Sequence, residues 1–368
     1  MTTKSNKKIN SLYVHIPFCT KICPYCDFTK VIDEKSFKSR YLKELIKDIK
    51  TLEQKRYFFN TIYIGGGTPS VLEEEQLKEL LSALNCVKKY DTEFTFEANP
   101  ESITVNKLKI LKKYGINRIS IGVQSFNSNI LKEINRDYNI DIFKLIEIVK
   151  KYIPNINVDF IYGLPNQTFE DLKNDLNNFV SLNVNHISIY SLILEKGTMF
   201  YKNNVKEISD ESSRQFYDYI VSFLREHDYK RYEVSNFCRI GYKSKHNLTY
   251  WHDEEYVGLG IGASGFENNI RYKNSSSLTK YLNGIREREE EVVSIEDDYE
   301  YYLICNLRLE DGFSLKEFEK RFGFNLLTNK EKEIKELIEL DLVVIKNDYF
   351  KCSDEGIALL DRVILKLL

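Results

Sequence analysis

The sequence predicts an α/β chain built on a largely parallel sheet, open or curved into a barrel, with a smaller helical, winged-helix-like unit behind it. Three observations carry this expectation. Short β-branched and aromatic runs alternate with segments of 3.6-residue apolar period from residue 12 to residue 192. All 6 prolines fall between Pro17 and Pro165, at or just past the ends of those runs. Beyond residue 295 the alternation stops, and helical stretches are followed by a hairpin-like run.

The strands are expected at 12–18, 61–65, 93–97, 118–123, 157–162 and 186–192, and helices between them at 35–55, 73–84, 140–151 and 169–182. Helices are then expected at 297–307, 315–321 and 329–340, a hairpin at 342–352 and a terminal helix, so that domains of 1–290 and 291–368 divide the chain. The charge run from Arg286 to Glu291 reads as a solvated helix face or a linker.

Composition excludes several function classes. With 53 basic and 55 acidic side chains the net charge is -2, and residues 299–368 hold 11 Lys and Arg against 14 Asp and Glu. A winged helix that binds nucleic acid should be basic, so no nucleic-acid partner is expected. No apolar run approaches the ~20 residues that span a bilayer. The opening Met-Thr-Thr-Lys-Ser-Asn-Lys-Lys has no apolar core of a secretion signal, and the 7 cysteines are odd in number, which together point to a reducing cytoplasm.

The segment richest in chemistry is Cys19-Thr-Lys-Ile-Cys23-Pro-Tyr-Cys26, placed just after the first strand. Three thiolates in this spacing can hold three irons of a cubane [4Fe-4S] cluster and leave the fourth iron open to a small molecule. A structural zinc site would need a fourth ligand such as His15, and no second Cys-x2-Cys knuckle is present. Cys86, Cys238, Cys305 and Cys352 are scattered and read as packed residues.

Polar residues follow the strands. Strand two runs into Gly65-Gly66-Gly67-Thr68-Pro69, strand three ends at Glu97-Ala-Asn-Pro100, strand four at Gly122-Val-Gln124-Ser125, and strand five contains Asp159 before Gly163-Leu-Pro165. The carboxyl ends of parallel strands are where α/β barrels build their sites, and the cysteine loop arrives at the same rim. Turn chemistry explains the glycines and prolines. It does not explain Glu97 and Gln124, which lie in apolar runs and would need buried partners.

The three-cysteine loop and the following triple glycine resemble the radical S-adenosylmethionine (SAM) superfamily. That resemblance implies a partial (β/α)6 barrel in which SAM chelates the open iron and a reduced cluster cleaves its sulfonium to a 5′-deoxyadenosyl radical. Tyr13-Val-His15-Ile-Pro-Phe-Cys19, Gly65-Gly-Gly-Thr68-Pro69-Ser70, Phe96-Glu97-Ala-Asn-Pro100, Gly122-Val-Gln124-Ser-Phe126 and Asp159-Phe-Ile-Tyr-Gly-Leu-Pro165 narrow it to the oxygen-independent coproporphyrinogen III oxidase-like family, which includes heme chaperones. By this resemblance Cys19, Cys23 and Cys26 ligate the cluster and Tyr13, Gly66 and Glu97 contact the SAM bound to it. Tyr25, Gly67, Thr68, Gln124, Arg136 and Asp159 correspond to contacts with a second SAM in the oxidase. Tyr138 stands where the family usually has His, and Ser264 likewise, which bears on that second site.

Two features separate the branches. The oxidase has a fourth cysteine two residues after the third, where this chain has Phe28, and a longer extension before its cysteines than the 18 residues found here. Lys245-His246-Asn247-Leu248-Thr249-Tyr250-Trp251 matches the HNxxYW signature of the chaperone branch and holds the chain's 1 tryptophan. A neutral His246 suits an axial iron ligand, with His252 as the alternative, while Tyr250 and Trp251 can cover a macrocycle. The resemblance thus implies heme transfer to heme-accepting proteins of respiratory type, and admits a homodimer. The alternative is radical-based oxidative decarboxylation of coproporphyrinogen III. Gly260-Ile-Gly262-Ala-Ser-Gly265 satisfies a dinucleotide pattern, but residues 268–274 do not begin the helix such a site needs. The tail resembles the HemN-type C-terminal domain that covers the barrel mouth.

Overall fold

The computed structural model describes residues 9–136 and 138–368. The opening residues read above for a leader, and Asp137, lie outside the described residues. Each expected strand of the first half is present: Ser11–Ile16, Phe59–Gly66, Lys88–Ala98, Arg118–Gln124, Asn155–Tyr162 and His186–Ser191 lie side by side in that order, all parallel. The helices Lys35–Gln54, Glu74–Asn85, Ile142–Lys150 and Phe169–Ser181 match the apolar periodicity closely. Two of these starts are marked by side chains that accept free backbone N–H groups, Thr168 from Asp171 and Asp141 from Lys144.

Alternation across the sheet sorts the strand residues into two layers. Ile62 and Ile64, Phe94 and Phe96, Ile119 and Ile121, and Val158 and Phe160 pack into the main core under the helices. Burying each contributes about 1.5–3 kcal/mol. Their neighbours Tyr63, Glu97, Ser120, Asn157, Asp159 and His186 face the other way and bond to one another across strands. The outer layer supplies stability, which leaves the interior face free to be polar.

Among the described residues the large sheet has 12 strands, six more than the parallel run expected from sequence. Tyr256–Leu259 adds a seventh parallel strand beside Ser11–Ile16, and Ser264–Glu267, Ile270–Asn274 and Arg288–Val292 continue from it antiparallel. At the opposite edge Asn236–Cys238 and Lys230–Glu233 pair antiparallel beyond His186–Ser191. The sheet does not close on itself. The charge run is corrected here: its residues from Arg288 on form an exposed edge strand rather than a helix face or linker, and charges on an edge discourage pairing with another chain. That strand also runs across residue 290. Gly260 to Gly265 is a turn into a strand, and the strand Ile270–Asn274 comes next where a dinucleotide site would begin its helix.

The C-terminal unit combines helices Ile295–Asn306, Leu315–Phe322 and Glu331–Glu339 with a small sheet of Phe313–Ser314, Tyr349–Cys352 and Val343–Lys346, the winged-helix order expected. It has its own core around Leu303, Phe318, Phe350 and Val363. Charged contacts tie it to both flanks of the open sheet. Arg231, on one edge strand, pairs with Glu310 and Asp354 at 2.6 Å each, and near the other flank Asp253 is held between Arg271 and Arg321. The unit therefore bridges the gap that the parallel strands leave open. Among the described residues no helix is long and apolar enough to cross a membrane.

Candidate functional site

The cysteine loop is pinned where it leaves the first strand. Phe18–Cys19 pairs in parallel with Val31–Ile32, Asp33 N–H donates to the Cys19 carbonyl at 2.9 Å, and Cys26 N–H donates to the Cys23 carbonyl at 3.1 Å. The chain is thereby folded back, and the Cys23 and Cys26 thiols lie near enough to act on that of Cys19. None is in a disulfide; Cys19 and Cys23 are buried and Cys26 half-buried. The Thr68 hydroxyl lies 3.7 Å from Cys19 Sγ, and Arg136 Nε donates to Cys23 Sγ at 3.1 Å. Burial pushes the Cys19 thiol up to about 11, against the Thr68 contact that favours thiolate, and the nearby Cys26 and Cys23 push the same way. Metal binding displaces such protons outright.

The donor set fits a cluster better than a single ion. Among the described residues no three His, Cys, Asp or Glu side chains are spaced to hold one metal ion. A cubane spreads its thiolates over separate irons. His15, the nearest fourth ligand for zinc, is spent: Nε2 lies 2.7 Å from the Thr29 carbonyl and Nδ1 3.0 Å from Tyr13 Oη. Burial lowers this imidazole to about 4, so Nε2 donates to the carbonyl and Nδ1 accepts from Tyr13.

The triple glycine lies directly against this loop. Gly66 has φ +120°, and a Cβ there would meet the His15 ring at 2.6 Å. A Cβ on Gly67 would lie 2.7 Å from the Pro17 carbonyl and 2.9 Å from Cys19 Sγ. Backbone cannot swing aside as a side-chain tip can, so Gly67→Ala must displace the cysteine loop. The expected result is a chain that folds but retains less than about a tenth of the wild-type iron after anaerobic reconstitution, since misplacing one ligand by an ångström is costly; iron and sulfide assays check it.

Glu97, at the end of its strand, is half-buried on the interior face. Tyr63 Oη donates to Oε1 at 2.7 Å and Gly66 N–H to Oε2 at 3.1 Å. Burial raises its carboxyl to about 7, with the Asp159 charge adding to the shift and the Tyr63 and Gly66 bonds opposing it. A ligand N–H donor beside it would favour the ionised form, which accepts the bond. Binding of SAM is thus expected to strengthen as pH rises through about 7 and then level off, with Glu97→Gln abolishing the rise; calorimetric titration across that range distinguishes the two.

Further along the rim, Gln124 Nε2, Asn99 Oδ1 and Arg136 Nη1 gather over Gly122. Gln124 sits at φ +70° where the strand register shifts, a strained placement of the kind that clusters at ligand sites. Arg136 Nη1 is buried without a hydrogen-bond partner. Asp159 accepts from Ser120 at 2.9 Å and Asn157 at 2.8 Å, and burial raises its carboxyl. Tyr25 packs against an apolar cluster that includes Leu164, Leu192 and Phe200.

The segment Lys245–Trp251 is a helix capped by Ser244, and it lies beneath this rim at the amino ends of the strands. Glu93 accepts the backbone N–H groups of Lys245 and His246 at 3.0 and 2.9 Å, placing a carboxylate on the helix N-terminus. His246 is buried, with Nδ1 2.8 Å from Thr61 Oγ1 and Nε2 2.7 Å from Tyr250 Oη. Burial lowers it to about 3, so the ring is neutral. It stacks on Tyr63 at 5.1 Å, and Tyr63 in turn bonds Glu97, which links the helix to the rim. Trp251 is half-buried with the Arg308 guanidinium 4.4 Å from its ring centre, and His252 is exposed at the helix end.

Residues 13–179 match the radical SAM superfamily model and residues 293–359 the HemN C-terminal domain. The heme chaperone HemW of Lactococcus lactis subsp. lactis (strain IL1403) is 39% identical, the alignment covering 98% of each chain, and that of Bacillus subtilis (strain 168) is 38% identical over 91% of this chain and 93% of its own. The chain belongs to the HemW family. The solved structure of coproporphyrinogen III oxidase (HemN) from Escherichia coli superimposes with a TM-score of 0.85 at 22% identity, covering 99% of this chain and 91% of that one, which shows that the fold is shared. Membership in the radical SAM superfamily implies a [4Fe-4S] cluster and SAM.

Within the HemW-family fold, the residues expected from sequence fall into two groups. Cys19, Cys23, Cys26, Gly66, Gly67, Thr68, Glu97, Gln124, Arg136 and Asp159 share the rim, with Tyr13 and Tyr25 beside it; His246, Tyr250 and Trp251 lie beneath. Sequence reasoning missed Tyr63, Asn99 and Glu93, each of which bonds a site residue. Odd-numbered positions in strand 93–97 alternate with Phe94 and Phe96, a signal that marks Glu93 and Glu97 as facing the same side.

Proposed function

We propose that this chain is a cytoplasmic heme chaperone that takes up heme and passes it to acceptor hemoproteins of respiratory type, with a [4Fe-4S] cluster and SAM at the rim. The observation that carries this is the helix Lys245–Trp251, which presents a neutral imidazole and two aromatic rings behind the rim. The names of the HemW relatives support it. Phe28, 63% exposed where the oxidase branch has its fourth cysteine, favours it over porphyrinogen oxidation. Cys19, Cys23 and Cys26 would hold the cluster. Tyr13, Gly66 and Glu97 would orient the SAM bound there, Glu97 through its carboxylate. Tyr25, Gly67, Thr68, Gln124, Arg136 and Asp159 would line the space beyond, with Arg136 Nη1 free to donate.

Both nitrogens of His246 are engaged, so ligation of iron through Nε2 requires the Tyr250 hydroxyl to let go. Tyr250→Phe removes that competitor. It is expected to raise the hemin association rate several-fold, whereas His246→Ala removes the ligand; Trp251 quenching and the Soret band report both. Loss of the ligand signature in His252→Ala instead would move the assignment to His252. The function itself is tested with the anaerobically reconstituted chain. Hemin should pass to an apo-hemoprotein, and coproporphyrinogen III with SAM and reductant should yield no protoporphyrinogen. Porphyrinogen turnover would overturn the chaperone reading.

A further inference from the structure

Arg118 opens the strand Arg118–Gln124 on the same face as Ser120, whose hydroxyl meets Asp159, so its side chain enters the barrel interior. It is 2% exposed, and its guanidinium forms no hydrogen bond or ion pair with any described residue; Nε is sealed from solvent. An arginine cannot relieve burial by losing its proton, and five N–H donors without acceptors are costly. No interior carboxylate bonds it, although its charge favours the ionised forms of Glu97 and Asp159. Glu97 is taken by Tyr63 and Gly66, Asp159 by Ser120 and Asn157, and Glu93 by the backbone of Lys245 and His246.

The surroundings of this cation combine neutral rings with the carboxylates of Glu97 and Asp159, neither of which bonds it. Its charge is felt by His246 and His186, both of which burial already holds uncharged, and by Tyr232. His186 has Nδ1 2.6 Å from Asn157 Oδ1 and Nε2 2.9 Å from Tyr232 Oη, so it offers the guanidinium nothing. Strand register sets Arg118 opposite Thr95 and Thr95 opposite Tyr63, the ring on which His246 stacks, so the guanidinium lies two strands from that imidazole; its planar fork of donors matches a carboxylate, which it can hold through two parallel bonds.

We propose that Arg118 receives a propionate carboxylate of the tetrapyrrole that docks at His246. This rests on the heme reading above and adds the group that orients the macrocycle. The same carboxylate chemistry could come from the amino-acid end of SAM, and the test separates the two.

The cluster-loaded full chain is titrated with hemin, with hemin dimethyl ester, whose propionates are capped, and with SAM, each for wild type and Arg118→Gln. Wild type is expected to bind hemin about ten- to a hundredfold more tightly than the ester, the range for a charge-assisted hydrogen-bonded pair. Arg118→Gln should bring hemin down to the ester's affinity and leave the ester and SAM unchanged. Equal binding of hemin and ester by wild type overturns the propionate site and leaves heme binding intact, and it needs no variant. A variant that weakens SAM alone assigns the carboxylate to SAM and overturns the proposal. No hemin binding by wild type overturns both this site and the chaperone reading.

Discussion

Serine in place of Cys19, Cys23 or Cys26, one at a time, is expected to reduce bound iron and sulfide to background and to abolish the charge-transfer absorption of the cluster. The reason lies in how few ligands there are. With three thiolates and an exchangeable fourth position, losing one leaves two irons without protein ligands. No nearby side chain can substitute, because His15 is committed to Thr29 and Tyr13 and the other cysteines lie outside the loop. Exposed Cys86 supplies the control: Cys86→Ser should load fully. The fold should survive, since the core is built from the opposite faces of the strands and from the helices. Retention of a full iron complement by any of the three variants would exclude that residue as a ligand.

The largest loss of stability is expected from Asp253→Ala. Asp253 follows the His246 helix in a left-handed conformation at φ +51° and is buried. Its carboxylate meets Arg271, from the flank of the large sheet, and Arg321, from the C-terminal unit; Arg321 also reaches Asp298 at 2.6 Å, and Arg271 lies 3.9 Å from the Tyr301 ring centre. Removing the carboxylate leaves Arg271 without an ion-pair partner and Arg321 with Asp298 alone, each arginine with about a fifth of its surface exposed. The cost is about 3 kcal/mol, the lower end for a broken buried pair because both partners keep some solvent. Asp253→Asn tolerates the left-handed backbone and isolates the charge effect, so it should lose nearly as much. Chemical denaturation checks this, and a change below about 0.5 kcal/mol for both variants would show that the contact is not a structural anchor.

Much of this architecture was legible because it is written locally. The parallel strands announce themselves through apolar alternation, and the helices between them through their period. The flanking strands 230–238 and 264–292 did not, since they are short, carry Asn and Gly turns, and in Arg288–Val292 consist mostly of charges. Edge strands need no hydrophobic signature because one side faces water. Glu97 was readable as a polar residue in an apolar run. Arg118 was not, because an arginine at the start of a strand looks like an exposed terminus until the neighbouring strands enclose it.

Local spacing was enough to read the three-cysteine loop, the glycine turn, the family and the motif that contains His246, because spacing within one short segment constrains which atoms can converge. Packing of the whole chain was needed to show that the His246 motif is a helix, that His246 is held on both sides, that Glu93 sits on the helix N-terminus, and that buried Arg118 has no bonded partner. Burial and hydrogen bonding between groups as far apart as Thr61 and His246 are properties of the packed interior, and no local pattern encodes them.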